Sequence, residues 1–219
     1  MDIELLKQGA LEFGVKLSEN QLHLFTVFLE RLYLWNRRIN LTSIPEKREI
    51  ILKLFLDSLV VLPHLPLTGT ALDIGSGAGI PGLPLKIARP EFEMHLLEAK
   101  AKKISFLRDT IRKLNLKGVE AYQGRAEKKS TLPPELLLSY DIVTARALAP
   151  LKETINIGYP YLGPDGLLVT YKGLKLEQEI EESKTLIEEL GLKISKILPY
   201  VLPETEGKRS LLILKRRES

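Results

Sequence analysis

The chain of 219 residues is 44% hydrophobic and 27% charged, has a formal charge of +4 and contains no cysteine. That composition is ordinary for a globular protein with a substantial buried core, and it excludes disulfides, thiolate metal sites and a cysteine nucleophile. The sequence holds no apolar run of the roughly 18 residues that a membrane span needs, and its acidic amphipathic start is unlike a secretion signal, so a cytoplasmic location is expected.

Residues 1–66 read as a helical N-terminal extension. In "SENQLHLFTVFLERLYLWNRRI" the residues Leu22, Phe25, Leu29, Leu32 and Trp35 recur at helical intervals, with Ser18 as N-cap and Gln21 completing a capping box. "EKREIILKLFLDSLVVLPHL" predicts another helix, begun after Pro45 and stopped near Pro63. Asn36, Asn40 and Thr42 either turn the chain between these helices or approach a substrate.

Residues 67–219 change texture. The segments "TALDIG", "EMHLLEA", "GVEAYQG", "YDIVTARAL" and "GLLVTYKG" are short apolar strands, with helices beginning near Ile80, Lys100, Leu151 and Leu174. Such alternation predicts right-handed βαβ crossovers and a mostly parallel α/β sheet of Rossmann-like type, covered on both faces. The tail "LKISKILPYVLPETEGKRSLLILKRR" predicts an antiparallel hairpin that completes the sheet.

The first βα turn, "LDIGSGAGIPGLPL", is where such sheets bind ligands. Gly75, Gly77 and Gly79 permit positive φ and close approach of a ligand to the backbone. Residues 77–82 also satisfy G-x-G-x-x-G, so a dinucleotide and S-adenosylmethionine are both open at this point. Asp73 is expected beside the ligand's charged portion, where a carboxylate repels a pyrophosphate and favours a sulfonium; its alternative role is to cap the following turn. Glu98 ends the second strand, where an acid accepts from ribose hydroxyls.

Positive charge concentrates in "KAKKISFLRDTIRKLNLK", seven Lys or Arg against one Asp, with further charge in "WNRRIN" and the terminal "KRRES". Ile104, Leu107, Ile111 and Leu114 form the apolar stripe of this helix, so Lys100, Lys102, Lys103 and Arg108 should face solvent and, with Arg37 and Arg38, either make an ordinary solvated surface or meet a phosphate backbone. "LEQEIEESKTLIEEL" is an acidic helix expected to lie away from any phosphate backbone. Arg146, at the carboxyl edge of the fourth strand, offers five donors and a flat face for a base, or else an ion pair with a nearby acid. Lys172, one strand further on, is a second candidate for a phosphate.

Taken together, "NRRINLTSI", "LDSLVVLP", "LDIGSGAGIPGLPL", "LLEAKAKKISFLR", "GRAE", "TARALAPL" and "YKG" resemble, in order and spacing, the bacterial small-subunit ribosomal RNA guanine-N7 methyltransferases, the glucose-inhibited division protein B family. The resemblance covers about residues 30–175. It implies a class I methyltransferase fold and S-adenosylmethionine as donor. The implied substrate is N7 of a guanine in the decoding-region loop of 16S ribosomal RNA, naked or within the small subunit. By position it implies that Gly75 and Ile80 contact the cofactor while Asp73, Gly77 and Gly79 shape its pocket. Ala126 and Glu127 would border the adenine, and Arg146 would reach the cofactor or the target base. Where the family usually carries a histidine before "LDSL", this chain has Leu54.

The absence of cysteine removes covalent pyrimidine-C5 chemistry, and no N/D-P-P-Y/F segment for exocyclic amines occurs. Guanine N7 carries an available lone pair, so neither a dedicated catalytic base nor a metal is expected. A monomer is expected. An NAD-dependent oxidoreductase and a noncatalytic ribosome-assembly factor are the rival readings.

Overall fold

The computed structural model describes residues 2–137 and 139–217. Helices α1 (Asp2–Glu12) and α2 (Glu19–Ile39) precede a helical run in three parts: α3 (Lys47–Ile50), a π-helical segment (Ile51–Leu56) and α4 (Asp57–Leu59). The capping box forms as its residues predict. Gln21 N donates to Ser18 Oγ, and Ser18 N donates to Gln21 Oε1. The same Gln21 amide donates to the carbonyls of Ile87 and Ala88, which ties the start of α2 to the sheet region. Asn40 closes α2 in a left-handed conformation, Asn36 Oδ1 accepts from Thr42 N, and Thr42 Oγ1 accepts from Ile44 N. These three polar residues shape the connection locally.

The single helix expected over residues 46–65 is instead widened at its centre. Ile50, Ile51, Leu52, Leu54, Phe55 and Leu56 are all buried, as are Asp57 and Ser58. A helix apolar on every side must be enclosed on every side. The π-turns redistribute those side chains, a distortion frequent at functional positions.

Seven strands follow: β1 (Gly69–Ile74), β2 (Phe92–Glu98), β3 (Val119–Gln123), β4 (Tyr140–Arg146), β5 (Leu162–Lys172), β6 (Leu192–Val201) and β7 (Lys208–Arg216). They form one sheet in the order β3-β2-β1-β4-β5-β7-β6, parallel from β3 to β5. The C-terminal hairpin is present, and β7 is antiparallel to both β5 and β6. Thus β7 slots inside the sheet and β6 takes the edge. Between the strands run α5 (Gly82–Ala88), α6 (Ala101–Lys113), α7 (Leu151–Gly158) and α8 (Leu176–Glu189).

Two apolar clusters sandwich the sheet. The larger joins α1, α2 and the π-helical run to α5, α6 and one sheet face, with Phe28 stacked on Phe55 at 5.0 Å and Trp35 edge-on to Phe106 at 5.8 Å. The smaller packs α7 and α8 against the other face. At Gly82 a Cβ would come within 2.3 Å of Leu96 Cδ2, so α5 can lie this close to β2 only because its first residue has no side chain.

Candidate active site

The strand order reverses direction between β1 and β4, and a cavity of about 360 Å³ opens at the carboxyl ends of these strands. Four of its walls come from four strand ends: Gly75 after β1, Glu98 closing β2, Gly124–Glu127 after β3, and Arg146 with Ala147 and Leu148 after β4. Gly75 has φ +71°, and a Cβ there would approach Leu148 Cδ1, another wall residue, to 2.9 Å. A side chain at Gly75 would therefore be strained and would narrow the cavity. Glu98, 7% exposed, accepts Gly77 N on one oxygen at 2.9 Å and Lys100 N on the other at 2.8 Å. Each oxygen retains a second lone pair for a ligand hydroxyl. Ala126 and Glu127 line the same cavity, and Ala126 O accepts from Tyr161 Oη at 2.7 Å.

Asp73 is not where its sequence position led us to expect it. Its carboxylate is fully buried beneath the glycine turn and lies outside the cavity lining. One oxygen accepts Gly82 N at 3.2 Å, the other the hydroxyl of Thr144, its register partner on β4, at 2.8 Å. Asp73 thus caps α5 and pins β1 to β4. The charge at the mouth comes from other residues: Glu98 and Glu127 against Lys100, Lys103, Arg125 and Arg146. A negative mouth that selects a sulfonium is accordingly not what the geometry provides. Of the other turn residues, Gly77 and Gly79 have positive φ, and Gly79 and Ile80 pack inward, away from the cavity wall.

Burial pushes the Asp73 carboxyl up to about 6 from 3.8, against the hydrogen bonds from Thr144, Ser76 and Gly82. A carboxyl whose folded-state pKa is raised stabilises the fold fully below the unfolded value and loses that contribution as pH rises through about 6. Wild-type stability relative to Asp73→Asn should therefore fall between about pH 4 and 7, by about 3 kcal/mol at most. Denaturant unfolding at stepped pH checks it; a pH-independent difference would contradict it.

Arg146 borders a second cavity of about 350 Å³, which it shares through the Arg146–Ala147 ridge with the first. Its Nε donates to Asp57 Oδ2 at 2.9 Å and its Nη2 to Lys53 O at 2.7 Å. The ion-pair alternative and exposure to a ligand therefore coexist in one side chain, 19% exposed. Asp57 also accepts from Tyr200 Oη at 2.7 Å and Arg209 Nη1 at 3.3 Å, and both residues line the second cavity. The sequence reading missed Asp57, Tyr200 and Arg209, although "LDSL" and "EGKRS" contain two of them. Leu54, at the position where a histidine is usual, is buried in the larger apolar cluster and lines neither cavity.

The basic candidates divide. Lys100 and Lys103 line the first cavity and Lys102 is exposed beside them. Helix α2 packs on α6 through Phe28 and Trp35, which both meet Phe106, and Arg31 pairs with Asp109. Arg37 and Arg38, in the last turn of α2, are exposed. Arg108 instead donates Nε and Nη2 to Ala121 O at 3.2 and 3.1 Å, covering the open edge of β3. Lys172, 9% exposed, lines the second cavity and is bound there to Glu179 at 2.7 Å and Ala149 O at 3.0 Å. Arg216 and Arg217 in the terminal basic run donate to Leu162 O and Leu192 O; residues 218–219 lie outside the described residues.

The sequence profile described as "rRNA small subunit methyltransferase G" matches residues 21–206. The chain belongs to that family. Among its relatives, the ribosomal RNA small subunit methyltransferase G of Geobacter sp. (strain M21) is 41% identical over 213 residues, covering 97% of each chain. The protein of the same name from Acetivibrio thermocellus is 39% identical over 97% of this chain and 88% of its own. Solved structures share the fold at low identity. An S-adenosylmethionine-dependent methyltransferase from Aquifex aeolicus superposes with a TM-score of 0.57 at 18% identity, over 80% of this chain and 97% of its own. M. jannaschii TYW2 in complex with AdoMet superposes at 0.53 and 15%, over 70% and 71%. The family's fold is thus the class I methyltransferase sheet, here preceded by helices that reach into the site through Asp57 and Lys53. No helix among the described residues is long and apolar enough to cross a membrane.

Proposed function

We propose that this chain transfers a methyl group from S-adenosylmethionine to N7 of a guanine in the decoding-region loop of 16S ribosomal RNA. In this reading it works as a cytoplasmic monomer in which residues 1–66 extend a methyltransferase domain of residues 67–219. The observation that carries the reading is the pair of cavities meeting at Arg146 above the β1–β4 switch point.

The first cavity suits the donor. Its volume lies in the range of small-molecule sites, about 300–1,000 Å³. Gly75 keeps a side chain out of the cradle, Glu98 accepts the ribose hydroxyls, and Ala126 and Glu127 border the adenine. Gly77 serves through its N–H on Glu98, while Asp73, Gly79 and Ile80 support the turn from below. The donor supplies an electrophilic methyl on a sulfonium sulfur.

The second cavity receives the unstacked guanine. Arg146 offers a flat guanidinium for stacking or donation to the base. N7 is a ring acceptor with no proton to lose, so orientation can supply several kcal/mol of the barrier without a general base. Lys100, Lys102, Lys103, Arg37 and Arg38 hold the flanking phosphates. Because such contacts release counterions, binding weakens as salt rises. Arg37→Ala and Arg38→Ala should each lower the log–log salt slope of subunit binding by roughly 1, whereas Lys172→Ala should leave the slope unchanged. Filter binding across a salt series measures this.

The deciding assay incubates the protein with methyl-labelled donor and small subunits from a strain lacking the enzyme, followed by nucleoside mass spectrometry. Label in 7-methylguanosine is expected. RNA binding without incorporation would favour an assembly factor, and label on an amino group or a ribose would refute the N7 assignment.

A further inference from the structure

We propose that Asp57 is the positioning residue of the methyl-transfer site: its buried carboxylate holds Arg146 and Arg209 in the orientations that meet the target nucleotide. The inference rests on the methyl-transfer reading of the two cavities. Asp57 opens α4 at the end of the π-helical segment, and its side chain is 1% exposed. It gathers partners from three strands distant in sequence. Oδ2 accepts Arg146 Nε from the end of β4 at 2.9 Å. Oδ1 accepts Tyr200 Oη from β6 at 2.7 Å and Arg209 Nη1 from β7 at 3.3 Å. Lys53 O, inside the π-helical segment, takes Arg146 Nη2 at 2.7 Å, so two points on one distorted helix fix a single guanidinium plane.

The arrangement does more than staple helix to sheet. A purely structural pair would be neutral and enclosed. Here one carboxylate faces two guanidiniums that remain 19% and 30% exposed and line the second cavity. The cluster therefore keeps one net positive charge directed at the substrate side. The guanidinium N–H groups not spent on Asp57 or Lys53 are available to base or phosphate oxygens. Tyr200 and Lys53 O restrict the forks further, so little ordering is left for the moment of substrate binding. Asp57 borders the second cavity, but its side chain is 1% exposed and its two oxygens are taken up by Arg146, Tyr200 and Arg209, so it acts through the two arginines.

The test is steady-state methylation of small subunits by the full chain carrying Asp57→Asn, with donor affinity measured by calorimetry. The variant should lose about 10- to 100-fold in kcat, the worth of hydrogen bonds to a charged group, while donor Kd stays within about threefold. The decisive readout is a double-mutant cycle. Arg146→Ala, which costs the wild type far more, should cost less than about threefold further in the Asp57→Asn background. Losses that multiply, or kcat within about threefold of wild type, overturn the proposal. Should Asp57→Asn fail to fold by circular dichroism, Tyr200→Phe removes one hydrogen bond to the carboxylate and leaves every charge in place. A several-fold loss of kcat with unaltered donor Kd is then expected, and unchanged kcat overturns the proposal. If the wild type incorporates no label, the methyl-transfer reading falls with it; if only the variants behave as wild type, the positioning role alone falls.

Discussion

Arg146→Ala is expected to lower kcat about 100-fold while donor affinity changes only a few-fold. The guanidinium stands on the ridge common to both cavities, so in the proposed reading its loss removes the group that fixes the base against the methyl group. It also leaves Asp57 Oδ2 and Lys53 O without a partner they now hold at 2.9 and 2.7 Å. Arg146→Lys should recover little, because a single ammonium cannot reproduce the two-pronged contact or the flat face. Single-turnover kinetics with saturating donor separates the chemical step from binding. A variant that raises donor Kd by as much as it lowers kcat would place Arg146 in the donor site rather than between donor and base.

Glu98→Ala is expected to raise donor Kd about 100-fold and leave kcat at saturating donor nearly unchanged. Two effects add. In the proposed reading the ribose loses its acceptor, and the N–H groups of Gly77 and Lys100 lose the carboxylate oxygens that hold them at 2.9 and 2.8 Å. Each orphaned donor costs about 1–3 kcal/mol where water cannot replace the partner. The glycine turn then loosens around the space it frames. Glu98→Gln keeps one carbonyl oxygen and should lose less. Isothermal titration with the donor checks both, and equal affinities for wild type and Glu98→Ala would remove Glu98 from the site.

What the sequence made legible was what the chain encodes locally. The glycine turn, the strand-end acid Glu98 and the capping box of Ser18 and Gln21 lie within a few residues of the features they serve. The alternation of strands and helices was equally readable, since period and punctuation set it. Asp73 shows where that reading stops. Its place at the end of β1 was correct, but its covering was set by Gly82, whose missing Cβ lets α5 close over it. Arg108 and Lys172 were counted as RNA contacts because they are basic. Their long side chains turn to acceptors set by the packing of their own neighbourhoods: Arg108 to Ala121 O on β3, and Lys172 to Glu179, 7 residues on in α8. Asp57 and Arg209 are 152 residues apart, so no window along the chain could join them. The π-turns before Asp57 were invisible for a related reason: enclosure on all sides, not the local pattern, selects them.

The apolar cluster that runs without a break from Leu6 through Phe28 and Phe55 to Leu83, Leu96 and Leu107 has a mechanical consequence. The amino-terminal helices supply one half of a packing layer whose other half is the flank of the sheet. Neither half can bury its apolar surface without the other. Heating should consequently melt the whole chain in one cooperative step, with far-ultraviolet and tryptophan signals superimposed, Trp35 reporting from the seam itself. A chain begun at residue 67 would present that bare flank to solvent and aggregate, so the helices are as much a foundation for the catalytic sheet as an attachment to it.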